Sequence, residues 1–146
     1  MRSWAFIFVI VGLSRGFSVP LLAQSSVFEG FVVIGNATGI VSLTEDEARA
    51  VFQGKKSVWS NGKPILIVLP NSKNPVSAVI ARRLFSTDTQ GMQRYWLSQV
   101  FQGRANAPVF IEEWDAVVKK VRDVEGAIAL VPRGTSVPSE LILSIR

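Results

Sequence analysis

Pro64-Ile65-Leu66-Ile67-Val68-Leu69-Pro70-Asn71-Ser72-Lys73-Asn74-Pro75-Val76 is the stretch that decides the fold. Ile65 to Leu69 is an unbroken apolar run, and a strand without polar alternation is one covered on both faces. The chain then turns through Pro70-Asn71-Ser72-Lys73. Asn74 followed by Pro75 is an N-cap with proline at the first helical position. Val76, Val79, Ile80 and Leu84 mark the face of the helix that follows. A covered strand that feeds directly into a helix is the building unit of a layered α/β domain.

The segments on either side follow the same grammar. Upstream, Gly30-Phe31-Val32-Val33-Ile34-Gly35 is a β-branched run bounded by glycines, which predicts a second buried strand. The loop Asn36-Ala37-Thr38-Gly39 follows it. Thr44-Glu45-Asp46-Glu47 forms a capping box, flanked by Leu43 and Ala48 where a hydrophobic staple stands. That cap accounts for all three carboxylates, so no metal site is assigned to them. Ala48, Val51 and Phe52 face inward, and Gly54 stops the helix before Lys55-Lys56. Asn61-Gly62 is a turn.

Downstream, a third helix is predicted from Thr89 to Gln102, ending at Gly103, with Met92, Tyr95, Trp96, Val100 and Phe101 in one stripe. A stripe at this spacing reads as core. A fourth helix turns Trp114, Val117, Val118 and Val121 inward and Lys119, Lys120 and Arg122 outward. Gly126 to Val131 is another buried strand, and Leu141-Ile142-Leu143 a final one. Trp96, Phe101, Trp114 and Ile128 are all expected to be buried. The predicted order is strand, helix, strand, three helices and two strands, in one domain without internal repeats.

Residues 1–23 have the layout of a secretory signal peptide: Arg2, a ten-residue apolar run from Trp4 to Leu13, then Ser18, Pro20 and Ala23 before a polar start at Gln24. The run is shorter than the about 20 residues of a membrane span. The expected division is a leader, 1–23, and a domain, 24–146, in the periplasm.

Composition narrows the function. The chain has 146 residues, 48% of them hydrophobic, so a packed core is expected rather than disorder. Sixteen basic and eleven acidic residues give a net charge of +5. Arg2 and Arg15 lie in the leader, so the remaining excess is mild and no nucleic-acid interface is expected. With no cysteine and no histidine, a thiol nucleophile, a disulfide, a zinc site of Cys and His, and a histidine-based triad are excluded. No phosphate-binding or dinucleotide fingerprint occurs, so no cofactor is expected. Ser72 and Lys73 are adjacent, which does not by itself place the amine on the hydroxyl. An enzyme is therefore not expected.

Binding has better material. In open α/β sheets ligands gather at the carboxyl ends of strands and at helix N-termini. Two loops have that position in the sequence: Asn36, Ala37 and Thr38 after the first strand, and Asn71, Ser72, Lys73 and Asn74 after the second. Plain turn and cap chemistry would use the same residues. A pocket that joins the two loops favours a ligand. An apolar surface patch without such a pocket favours a protein-interaction module.

The stretches IGNATGIVSLTEDEARAVFQGKKSVWSNGKPI (residues 34–65), YWLSQVFQG (95–103) with the following APV, and VEGAIALVP (124–132) carry a family likeness. Through them the chain resembles small periplasmic phosphate-binding-protein-like domains of the type II periplasmic binding protein fold. That resemblance implies a single lobe with a mixed sheet flanked by helices. It also implies export, and binding of a small oxyanion such as phosphate for an ABC uptake system, with a membrane transporter or other envelope proteins as partners. In full-length receptors of this kind two lobes close on the ion, whereas this chain has room for about one. Their phosphate loop carries an Arg/Asp element and a Ser-Gly-Thr run. Residues 70–76 keep a serine and a helix start.

Overall fold

Residues 66–69 do form an interior strand of a doubly covered sheet. The computed structural model describes residues 26–146, and the leader expected at 1–23 lies outside them. The described chain runs β1 (Phe31–Gly35), β2 (Ser42–Leu43), α1 (Glu45–Phe52), β3 (Leu66–Pro70), α2 (Val76–Phe85), α3 (Thr89–Phe101), β4 (Val109–Ile111), α4 (Trp114–Asp123), β5 (Ala127–Pro132), a 3₁₀ turn (Ser139–Leu141) and β6 (Ile142–Ile145). The eight predicted elements are present in the predicted order. β2 and β4 are additions: strands of two and three residues are too short to show a period of their own.

One six-stranded mixed sheet results, in the order β2-β6-β1-β5-β3-β4. β3 is parallel to both β4 and β5, while β1 is antiparallel to β5 and β6. The apolar strands contribute alternate residues to two cores. Val33, Ile67, Leu69, Ile128 and Leu130 face a layer formed by α1, α2 and α3. Ile34, Val68, Ala127, Ala129 and Val131 face α4. Alternation is therefore intact at the level of faces, and both faces are apolar because each has a helix layer over it.

Local chemistry sets the helix ends. The Thr44 hydroxyl accepts from the Glu47 N–H at 3.2 Å and the Glu47 carboxylate accepts from the Thr44 N–H at 2.7 Å, so the capping box forms as expected. At α2 the predicted cap forms too, with proline at the first helical position. Pro75 already has helical dihedrals, and Asn74 caps the helix, its Oδ1 accepting the Val76 N–H at 3.0 Å. Of the predicted stripe Ile80 and Leu84 are buried, with Ser77 and Ala81 beside them, while Val76 and Val79 are half-buried at its edge.

Two burial expectations fail. Trp96 and Ile128 are buried, but Phe101 is 82% exposed and Trp114 only half-buried. α3 packs on α2 and against the end of α1, where Trp96 lies over Gly54, and it buries only Gly91, Met92 and Trp96. Its last turn runs beyond that contact. Periodicity carries the stripe on to Val100 and Phe101, but nothing in the period says where the neighbouring layer stops.

Candidate functional site

The antiparallel setting of β1 separates the two candidate loops. β1 ends beside the start of β5, with Gly35 opposite Ile128, whereas β3 runs the same way as β5, with Leu66 opposite Ala127. The loop after β1 and the loop after β3 therefore lie at opposite ends of the sheet, and no pocket joins them.

At the first end, Asn36, Ala37 and Thr38 are tied into the fold. Asn36 exchanges backbone hydrogen bonds with Gly126 and Ala127, and its Nδ2 donates to the Arg122 carbonyl at 2.9 Å. Ala37 has φ +49°, and its carbonyl accepts from Asn61 Nδ2 at 2.8 Å. Thr38 is buried and its hydroxyl donates to the Ile40 carbonyl at 3.1 Å. These groups join β1 to α4 and to the Asn61-Gly62 turn.

At the other end, the parallel strands β3, β4 and β5 bring their carboxyl ends together beneath the start of α2. Here too most of the loop satisfies itself. The Asn71 N–H donates to the Ile111 carbonyl at 3.0 Å, and Asn71 Oδ1 accepts from the Lys73 N–H at 3.0 Å. Asn74 is buried. It donates to the Glu112 carbonyl at 2.8 Å through Nδ2 and accepts from Val76 through Oδ1. Ser72 and Lys73 are exposed, and Lys73 pairs with no carboxylate among the described residues.

Ser77, in the first turn of α2, is the residue that sequence reading missed. It is 1% exposed and its hydroxyl has no hydrogen-bond partner. A buried hydroxyl without a partner is costly to keep and calls for a reason. The signal was a serine at a position three and seven residues before Ile80 and Leu84, on the buried face. Glu112 and Glu113, just after β4, put negative charge at the same end of the sheet as Lys73.

The clefts are elsewhere. One of about 600 Å³ opens where β6 leaves β1, lined by Phe28, Phe31, Val33, Leu143 and Arg133. Another of about 540 Å³ lies between α4 and the 136–138 segment. Neither candidate loop lines them. Among the described residues no group of three carboxylates could hold a metal ion, and no helix is long and apolar enough to cross a membrane.

No family model and no curated protein matches the chain. Several solved structures share its architecture. An ABC-type phosphate transport receptor from Vibrio cholerae superposes with a TM-score of 0.51 at 14% identity, over 80% of this chain and 46% of the receptor. PstS from Borrelia burgdorferi does so with a TM-score of 0.57 at 13% identity, over 80% and 47%. The chain shares the α/β architecture of about half of each of these two proteins. The chain spans about half the length of the receptors it matches. The expected single α/β lobe with a mixed sheet is thus present. At this identity the shared property is the receptor architecture, and the side chains named above are what this chain puts on it.

Proposed function

We propose that the chain is a solute-binding-like lobe that takes a small oxyanion such as phosphate weakly, at Ser72, Lys73 and Ser77, and that it is exported and is not an enzyme. The observation that carries this reading is the buried, unpartnered Ser77 hydroxyl at the start of α2, on the end of the sheet where three parallel strands finish. A helix start at that end attracts anions, Lys73 supplies a free cation, and one solved protein of similar architecture is a phosphate transport receptor. The other predicted loop residues are outside this site: Asn71 and Asn74 shape it, and Asn36, Ala37 and Thr38 lie at the far end. Few contacts and no enclosure imply micromolar affinity or poorer, on the scale of about 8 kcal/mol or less. Delivery to a membrane transporter belongs to the same proposal.

Calorimetric titration with phosphate and with sulfate tests it, comparing the parent with Ser72→Ala/Lys73→Ala. Heat of binding in the parent that is lost in the variant is the expected result. Equal binding by both moves the site elsewhere, and no binding at millimolar anion rejects an oxyanion ligand.

A second reading is an envelope protein-interaction module that kept the fold without the ligand. The observations that favour it are that no pocket joins the two loops and that their donors are already spent within the fold.

A further inference from the structure

The last turns of α3 present Leu97, Val100 and Phe101, which are 59%, 39% and 82% exposed. Their spacing of three and four residues places them on one side of the helix. Arg94 stands one turn before Leu97, and Arg104 follows Phe101; both are exposed. Across a shallow cleft lined by Val100, Arg104 and Ser57 lies the exposed pair Lys55-Lys56. An apolar cluster is thus rimmed by four cations.

The charge of the whole layer points the same way. From Glu45 to Ile111, the stretch that contains α1, α2 and α3, the sequence carries nine basic residues and four acidic ones, three of them in the first turn of α1 and the fourth Asp88. From Glu112 to Glu125, around α4 on the opposite face of the sheet, it carries five acidic and three basic residues. The two stretches therefore differ in the sign of their net charge, and the positive one carries the apolar cluster.

Two copies of this chain would bring like charges together if they met on this face. Three apolar side chains are also a small fraction of the about 800 Å² per partner that a stable protein interface buries. A lipid surface needs less: a few inserted apolar groups together with cations near the headgroups suffice. We propose that the α3 face docks on an anionic phospholipid surface. Leu97, Val100 and Phe101 enter the headgroup–acyl boundary, Arg94, Arg104, Lys55 and Lys56 meet phosphates, and the α4 face is held away from the bilayer. This role is independent of oxyanion binding at the start of α2.

The test compares vesicles of phosphatidylcholine alone with vesicles that also contain phosphatidylglycerol. Parent protein is expected to co-sediment with the second kind only, and less so in high salt. Leu97→Ser/Phe101→Ser, with both positions exposed, is expected to keep the parent's melting temperature and partition at least about tenfold more weakly. The chain has no cysteine, so Ser98→Cys takes a single environment-sensitive dye beside the cluster, and Arg122→Cys takes it on the α4 face. The dye at 98 is expected to shift to the blue on anionic vesicles and the dye at 122 is not. Equal partition of parent and double variant, equal shifts at both dyes, or no dependence on phosphatidylglycerol overturns the proposal. So does a double variant that alters the oligomeric state, because the cluster would then be a contact between copies.

Discussion

Ser77→Ala separates a hydroxyl kept for a ligand from one kept for the fold. The hydroxyl is buried without a partner, and such a group costs about 1–3 kcal/mol of desolvation. Alanine removes the oxygen and leaves the Cβ, so little packing is lost. The net expectation is a gain of about 1 kcal/mol for the ligand-free protein, a rise in melting temperature of about 3–6 °C for a domain of this size. Phosphate then changes the comparison. At ten times its dissociation constant a ligand adds about 1.4 kcal/mol to the state that binds it. The parent melt is therefore expected to rise with phosphate while the variant melt does not move. Thermal melts of both proteins over a phosphate series, with chloride at matched ionic strength, measure this. A loss of about 1 kcal/mol or more in the variant without phosphate refutes the reasoning, since the hydroxyl would then have a partner in the folded state. An identical phosphate response in both proteins removes Ser77 from the site.

Trp96→Ala is expected to cost about 3–5 kcal/mol in urea unfolding, because Trp96 is 2% exposed and stacks edge-on against Tyr95 and Phe85; a loss under about 1 kcal/mol would contradict its place in the core. Thr44→Ala is expected to cost about 1 kcal/mol by removal of the α1 cap. The Thr44 N–H and then its hydroxyl hold the Glu47 carboxyl below its ordinary range, so its contribution is present above the unfolded-state value and is lost as pH falls through the lower folded value; Glu47→Gln should flatten that part of the acid unfolding curve, and an unchanged curve would refute it. Burial pushes the phenol of Tyr95 up, and as it is the only tyrosine, the phenolate absorbance of the folded protein should appear above the ordinary value of about 10, with a midpoint at or below that value counting against it.

Much of the fold was legible because its signals are local. The capping box at Thr44–Glu47, the glycine after α1, the turn at Asn61-Gly62 and the apolar runs at 31–34, 65–69 and 127–131 each depend on residues a few positions apart. Their physics is complete within a turn or a strand. β2 and β4 were not legible. Each is a short edge segment that becomes a strand only when β6 or β3 lies beside it.

The site was less legible, for a physical reason visible at Asn36 and Asn74. An asparagine after a strand reads the same whether its amide meets a ligand or a neighbouring carbonyl. Only the fold brought the Arg122 carbonyl to Asn36 and the Glu112 carbonyl to Asn74, across 86 and 38 residues. Sequence by itself determined the α/β order, the helix ends, the doubly covered strands and the absence of thiol and imidazole chemistry, because these follow from residue type and short-range spacing. Tertiary structure alone decided that β1 runs against β3 and parts the two loops, that Ser77 is buried without a partner, and that Phe101 lies beyond the layer covering Trp96, because each depends on which distant segment lies alongside.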